Sequence, residues 1–455
     1  MSDPSKPRAR RTWRRATLPV AGALVVASVG FCVRGMHART SNGAVADSSS
    51  RAVALGSASP AVEHVLASTV KSNDELAATR IHSAELPREA TPPNPRRIAL
   101  GRQLFFEKGF SEPPGTSCAS CHDPAHGFAG NNGSTSGVPA GSRPERFGRR
   151  NTPSVLYLSF VRPFHLHWEE DALLVDAFGG FFWDGRVDSL AELVRQPLLD
   201  PDEMNSPGAP RLAAVIQASA YSADFREEYG AALDDREGTL KAFGDAIQAF
   251  LLSKEMAPFT SKYDDYVRGR AELTPLEARG LAAFKDPARG ACSVCHKMRD
   301  NLKDPARSLF TDYGYETVGV PRNPKIANNK DSQYFDLGLC KRPDTHFHTD
   351  EGQFCGSFRT PSLRNVAVRQ SFMHNGAFSS LRDVVEFYAT RTIRPRRWYK
   401  SGSTFDDLPK RYRDNVNVEK APYNRGKGEK PPMSDDDIDA IVAFLGTLTD
   451  AEFRK

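Results

Sequence analysis

The sequence predicts a mainly α-helical fold, built as two similar halves with long irregular loops. Three observations predict it. The string Cys118-Ala119-Ser120-Cys121-His122 returns as Cys292-Ser293-Val294-Cys295-His296. Each string follows an apolar segment at helical spacing, residues 98–106 before the first and 280–284 before the second. Between them, residues 211–256 place apolar side chains three or four apart, notably Leu240, Phe243, Ile247, Phe250 and Leu251. The halves read as a loose internal repeat of helix, loop and C-x-x-C-H.

C-x-x-C-H is the attachment signature of c-type haem. Two thiols add across the two vinyl groups of one porphyrin, and the adjoining imidazole reaches the iron as axial ligand. Cys118, Cys121 and His122 would hold one haem, and Cys292, Cys295 and His296 a second. The competing reading is one zinc site made of both pairs. Zinc ribbons space such pairs about 15–20 residues apart; here they lie more than 160 apart and each has its own His.

At 455 residues the chain is long enough for two or three domains, and its 39% hydrophobic content supplies a core. The net charge of +5 sits at the front: residues 1–46 hold eight Lys/Arg against one Asp, so the rest of the chain sums to −2. Such a body offers no electrostatic footprint for nucleic acid. Lys6, Arg8, Arg10, Arg11, Arg14 and Arg15 precede an apolar run over 16–33, the pattern of an export signal, and long enough to stay as a membrane anchor. Residues 1–46 are therefore read as an export signal or an inner-membrane anchor. Either delivers the chain to the periplasm, where disulfides persist. Setting aside Cys32 and the four motif cysteines leaves Cys340 and Cys355, either bridged or buried as free thiols. Residues 47–93, rich in Ala and Ser, are expected to be a tether, closed by Thr91-Pro92-Pro93-Asn94-Pro95.

The dense part of the chain follows. A helix over 98–106 leads through a Gly/Pro/Ser stretch to the first motif. Residues 127–148 contain no His or Met, so nothing nearby in sequence could cap the far face of a first iron. Leu273-Thr274-Pro275-Leu276-Glu277 opens the helix before the second motif: Thr274 can cap, Pro275 suits the first turn, and Glu277 completes a capping box. Residues 297–356 read as irregular, with His346 and His348 in a solvated loop. An amphipathic helix is expected over 381–389. Residues 395–432, rich in Pro, Lys and Arg, read as a solvated loop able to guide a partner. Ser434 and the acidic run after it cap a last helix over 438–448. The expected division is 94–255 for the first haem domain, 256–432 for the second, and 433–455 for a C-terminal helix.

The strings Leu100-Gly101-Arg102-Gln103-Leu104-Phe105-Phe106, Arg149-Arg150-Asn151-Thr152-Pro153, Phe182-Trp183-Asp184-Gly185-Arg186, Thr360-Pro361-Ser362-Leu363-Arg364-Asn365-Val366 and Met373-His374-Asn375-Gly376 stand in order around the two C-x-x-C-H motifs. Over roughly 94–448 the chain resembles the bacterial di-haem cytochrome c peroxidases and their relative of the MauG type. The resemblance implies two cytochrome c-like domains side by side, each binding one covalent c-type haem. It implies that Trp183 lies between the haems and helps electrons cross. It implies that Glu203, twenty residues beyond that Trp, is the distal carboxylate that moves a proton within hydrogen peroxide. It also implies one calcium ion, held by the Asn151 side chain and the carbonyls of Arg369 and Ser371.

Three departures matter. A distal Gln usually stands ten residues after the Trp, and here that place is Leu193; Gln196 is near in sequence but expected on another helical face. The His that blocks the first haem in many relatives is missing from 127–148; His165 and His167 are alternatives farther along. The peroxidase branch places a Met ligand fourteen residues after His374, and here that residue is Tyr388, as in the MauG type. A phenolate favours oxidised iron and lowers the potential, where a thioether does the reverse. Met373 is the rival ligand. The expected enzyme is a di-haem peroxidase that takes electrons from a small cytochrome c or copper protein. Its rivals are a MauG-like enzyme that oxidises side chains of a protein substrate, and a plain two-haem electron carrier.

Overall fold

Asn94 accepts the Arg96 N–H and starts helix α1, Pro95–Phe106. The computed structural model describes residues 94–169, 174–299, 304–342 and 352–454. Residues 1–93, with the export or anchor segment and the tether, lie outside that range, as do His346 and His348. Among the described residues no helix is long and apolar enough to cross a membrane.

After α1 come the single turn α2, Cys118–Cys121, and the strands β1, His165–Glu169, and β2, Leu174–Phe178. Then follow α3, Leu190–Leu199; α4, Ala209–Ala218; α5, Ser222–Tyr229; and α6, Arg236–Leu251. The later part holds α7, Lys262–Val267; α8, Pro275–Lys285; and the short pair β3, Tyr315–Glu316, and β4, Phe358–Arg359. It closes with α9, Leu381–Thr390; α10, Pro395–Trp398; and α11, Asp435–Gly446. The chain is thus helix-rich with little sheet. The caps lie where the sequence calls for them: Thr274 and Glu277 form a capping box on α8, and Ser434 caps α11 with three Asp in its first turn.

Two apolar clusters organise these helices. One gathers Leu104, Phe105, Phe110, Leu212, Phe243 and Phe250. The other gathers Phe284, Phe310, Phe387, Ile441 and Phe444, so the C-terminal helix is part of the second cluster. Each cluster has a helix crossing with a glycine at the contact. A Cβ on Gly101 of α1 would overlap the carbonyl oxygen of Ala246 on α6, and a Cβ on Gly280 of α8 would overlap that of Ala440 on α11. Gly280→Ala is expected to cost about 1–3 kcal/mol through overpacking, read as a lower Tm; an unchanged Tm would show that α8 and α11 can move apart freely.

The hairpin β1–β2 is the main element the sequence reading lacks. Its strands pair antiparallel, from His165 opposite Phe178 to Glu169 opposite Leu174. Val175 and Ala177 pack on Leu339 and Phe354 in a third small cluster. Beside it, Cys340 and Cys355 are joined in a disulfide.

The two main clusters meet along a polar seam. Arg364 makes a fully buried bidentate pair with Asp264, at 2.8 and 2.9 Å. The buried Asp450 carboxylate accepts from the Tyr157 hydroxyl at 2.6 Å, the Asn365 amide at 2.7 Å and the Thr260 N–H at 3.0 Å. Phe453 then packs edge-on against Phe128 in the first cluster.

Candidate functional site

His122 and His296 are oriented by the same device. His296 Nδ1 lies 2.9 Å from the Phe310 carbonyl, and His122 Nδ1 lies 3.2 Å from the Phe128 carbonyl. A carbonyl can only accept, so each ring carries its proton on Nδ1 and leaves Nε2 as a lone-pair donor, the tautomer a metal-bound His requires. Burial lowers both imidazoles to about 4, which keeps them neutral. Burial likewise pushes the thiols of Cys118, Cys121, Cys292 and Cys295 up to about 12, and none of the four is in a disulfide.

Beside the second motif lies about 1590 Å³ of empty space, partly open to solvent. Cys292, Cys295 and His296 line it, with Trp183, Met373, Tyr388 and Tyr423. The paired thiols, the neutral imidazole and the space fit a covalent haem.

Tyr388 comes from α9, whose N-cap Ser380 accepts the Asp383 N–H. Burial raises its phenol well above the usual tyrosine range, and proximity to the Cys295 and Cys292 thiols adds to that. Its ring stacks on Tyr423 with centroids 5.5 Å apart. Met373 lines the same space, so both sequence-predicted ligands reach it.

Trp183 is buried, and its indole N–H donates to the Asn151 carbonyl at 2.7 Å. The Asn151 side-chain amide meets the carbonyls of Ser371 and Met373, each at 3.0 Å. Turned over, that amide would present Oδ1 beside two carbonyl oxygens, a neutral oxygen set that suits calcium. The Ser371 carbonyl, one of the two the resemblance implies for calcium, lies at this amide. The second carbonyl at the amide is that of Met373 rather than Arg369. Next to Trp183, Asp184 pairs with Arg150 at 2.8 Å, and Arg150 also meets Asp336 at 2.6 Å.

Glu203 sits in the turn after α3. Its N–H donates to Asp200, and its carbonyl accepts from Ser142 at 2.7 Å. This ties it to the loop over 127–148, the one without His. Burial pushes its carboxyl up to about 7; Asp200 reinforces the shift, while Arg186 and Arg149 oppose it. Its charge is felt at Cys121 of the first motif. Leu193 packs against the first apolar cluster, and Gln196 accepts from Arg186 Nε at 2.8 Å. His165 and His167 lie on the hairpin, His165 stacked on Phe178.

The segment 395–432 departs from its reading as a solvated loop. Trp398, Tyr399, Leu408, Val416 and Tyr423 are buried. Tyr423 reaches the cavity under the Arg391 guanidinium, 3.9 Å from its ring centre. The charged composition hid these anchors; their aromatic residues were the available signal.

The model of the di-haem cytochrome c peroxidase family matches residues 95–272. The methylamine utilization protein MauG of Paracoccus denitrificans is 35% identical over 83% of this chain and 94% of its own length. The cytochrome-c peroxidase IdrP2 of a Pseudomonas species is 30% identical over 65% of this chain and 73% of its own. The crystal structure of the diheme peroxidase BthA from Burkholderia thailandensis matches with a TM-score of 0.74 at 47% identity, covering 80% of this chain and 90% of that one.

Proposed function

This chain belongs to the di-haem cytochrome c peroxidase family, and from that premise we propose that it is a periplasmic oxidoreductase that reduces hydrogen peroxide to water beside its first C-x-x-C-H motif. Two electrons and two protons convert one peroxide into two waters. The observation that carries the reading is the asymmetry of the two sites: an acid with a raised pKa, Glu203, stands near the first motif, and a phenol, Tyr388, faces the second.

Two covalent c-type haems would supply the redox chemistry, one held by Cys118, Cys121 and His122, the other by Cys292, Cys295 and His296 together with Tyr388. Glu203 takes the proton from the inner oxygen of peroxide and returns it to the outer, departing oxygen. Trp183, fixed by Asn151, carries electrons between the sites. A calcium ion at Asn151 and the Ser371 carbonyl would stiffen this bridge. The two haem domains are taken as 94–255 and 256–432, with 433–455 closing the second.

The electron source is a small cytochrome c or copper protein. A second reading is favoured by Tyr388 and the His-free loop over 127–148: a MauG-like enzyme that draws electrons from side chains of a protein substrate. Adding peroxide to the resting ferric protein tests the shared core of both. A rapid change in the Soret band without reductant is expected; no change until reductant is added would defeat the reading of an open first site.

The proton relay needs the ionised carboxylate, so reactivity toward peroxide should rise with pH through about 7 and then level off. Stability should run the other way. The folded value lies above the unfolded one of about 4.3, so the fold holds its proton more tightly and loses stability as pH climbs from there to about 7. Stopped-flow rates and Tm measured from pH 5 to 9 check both trends.

A further inference from the structure

Four arginines gather around Trp183: Arg359, Arg364 and Arg369 line spaces that Trp183 also lines, and Arg150 pairs with its neighbour Asp184. Arg150 is matched by Asp184 and Asp336, and Arg364 by Asp264. Arg359 donates to the Gly180 carbonyl at 2.5 Å and lies over the Tyr313 ring. Arg369 differs. Its Nη2 donates to the Thr152 carbonyl at 2.8 Å, while its Nε is shut off from water and meets no acceptor. Among the described residues no carboxylate lies within ion-pair distance of it. It lines both the large cavity beside Cys292 and a smaller space shared with Trp183, Tyr157 and Arg364.

The acids of that cavity are already engaged. Asp336 holds Arg150, Asp407 pairs with Arg322 at 3.4 Å, and Glu316 pairs with Lys420 at 3.5 Å. The cavity therefore carries a positive charge that the chain itself leaves unanswered. Taking a guanidinium out of water costs several kcal/mol unless a counter-charge meets it. A porphyrin of the c type brings two propionate carboxylates, and the guanidinium fork suits a planar carboxylate.

We propose that Arg369 anchors a propionate of the haem attached at Cys292 and Cys295, and that this pairing tunes the affinity of that haem for an electron. The proposal rests on the reading of the cavity as a haem site. Arg369 is a positioning residue here, acting through the cofactor's rim.

The test compares wild-type holoenzyme with Arg369→Gln, which leaves the backbone carbonyl at 369 in place. Haem content per chain is measured first. One haem in the wild type would overturn the reading of the cavity, and this pairing with it. With two haems present, loss of the cation should shift the reduction equilibrium of the second haem roughly tenfold toward the oxidised form, about 59 mV for one electron. Its propionate bending band in resonance Raman should move while its axial-ligand bands stay. Arg369→Lys should recover most of the potential but not the band. An unmoved band and potential in Arg369→Gln would overturn the pairing. The wild type alone gives a second check: in redox-difference infrared spectra with ¹³C-labelled propionates, an ionised carboxylate is expected from pH 5 to 9. A protonated propionate band titrating in that range would refute the proposal.

Discussion

Glu203→Gln is expected to slow the reaction with peroxide about 10²- to 10⁴-fold, the range a positioned general acid–base group supplies. Both haems should remain attached, because neither motif is altered. The substitution keeps the side chain's size and removes only its ability to take and return a proton. The surroundings of Glu203 suit it to this role. Burial holds its carboxyl near neutrality, so it can give up a proton about as readily as it accepts one. The same burial makes the charged form costly to the fold. Glu203→Gln should therefore gain stability above pH 7, on the order of 1–3 kcal/mol. A variant that keeps full peroxide reactivity would eliminate Glu203 as the relay. Leu193 stands in place of the usual amide, and the other acids of that turn, Asp200 and Asp202, are engaged by Arg149 and Arg146.

The second large effect is expected from Tyr388→Phe. If the phenol is the far ligand, removing it changes the absorption spectrum of the second haem and raises its potential, because an anionic oxygen stabilises oxidised iron. Each tenfold change in the reduction equilibrium appears as about 59 mV. Two neighbours make the control specific. Met373 lines the same space, and Tyr423 stacks on Tyr388. Met373→Leu and Tyr423→Phe should leave the ligand-sensitive bands of the second haem in place. An unchanged spectrum in Tyr388→Phe, with a changed one in either control, would move the ligand to that residue.

Much of this arrangement was legible in the linear chain, for reasons that differ by element. C-x-x-C-H announces itself because covalent attachment dictates both residue type and spacing. Helices α8 and α11 were legible because Thr274, Glu277 and Ser434 satisfy orphan backbone groups locally. Hairpin β1–β2 was not: its strands are five residues each, and the side chains that bury it, Leu339 and Phe354, come from far along the chain. Tyr423 was masked by the charged residues around it. The Arg369 side chain could not be singled out, since an arginine's want of a partner exists only in three dimensions; the sequence pointed only to its carbonyl. The site roles of Trp183, Glu203 and Tyr388 came from family resemblance, and periodicity alone would have left each as an ordinary core or surface residue.

The single carboxylate of Asp450 gathers Tyr157, Thr260 and Asn365, which come from three distant stretches of chain. It works as a clasp on the joint between the halves, and it is not itself part of either C-x-x-C-H motif. Were it undone, the halves could gape as on a hinge while each kept its own cofactor. Two intact chromophores would then coexist with a faltering traffic of electrons between them.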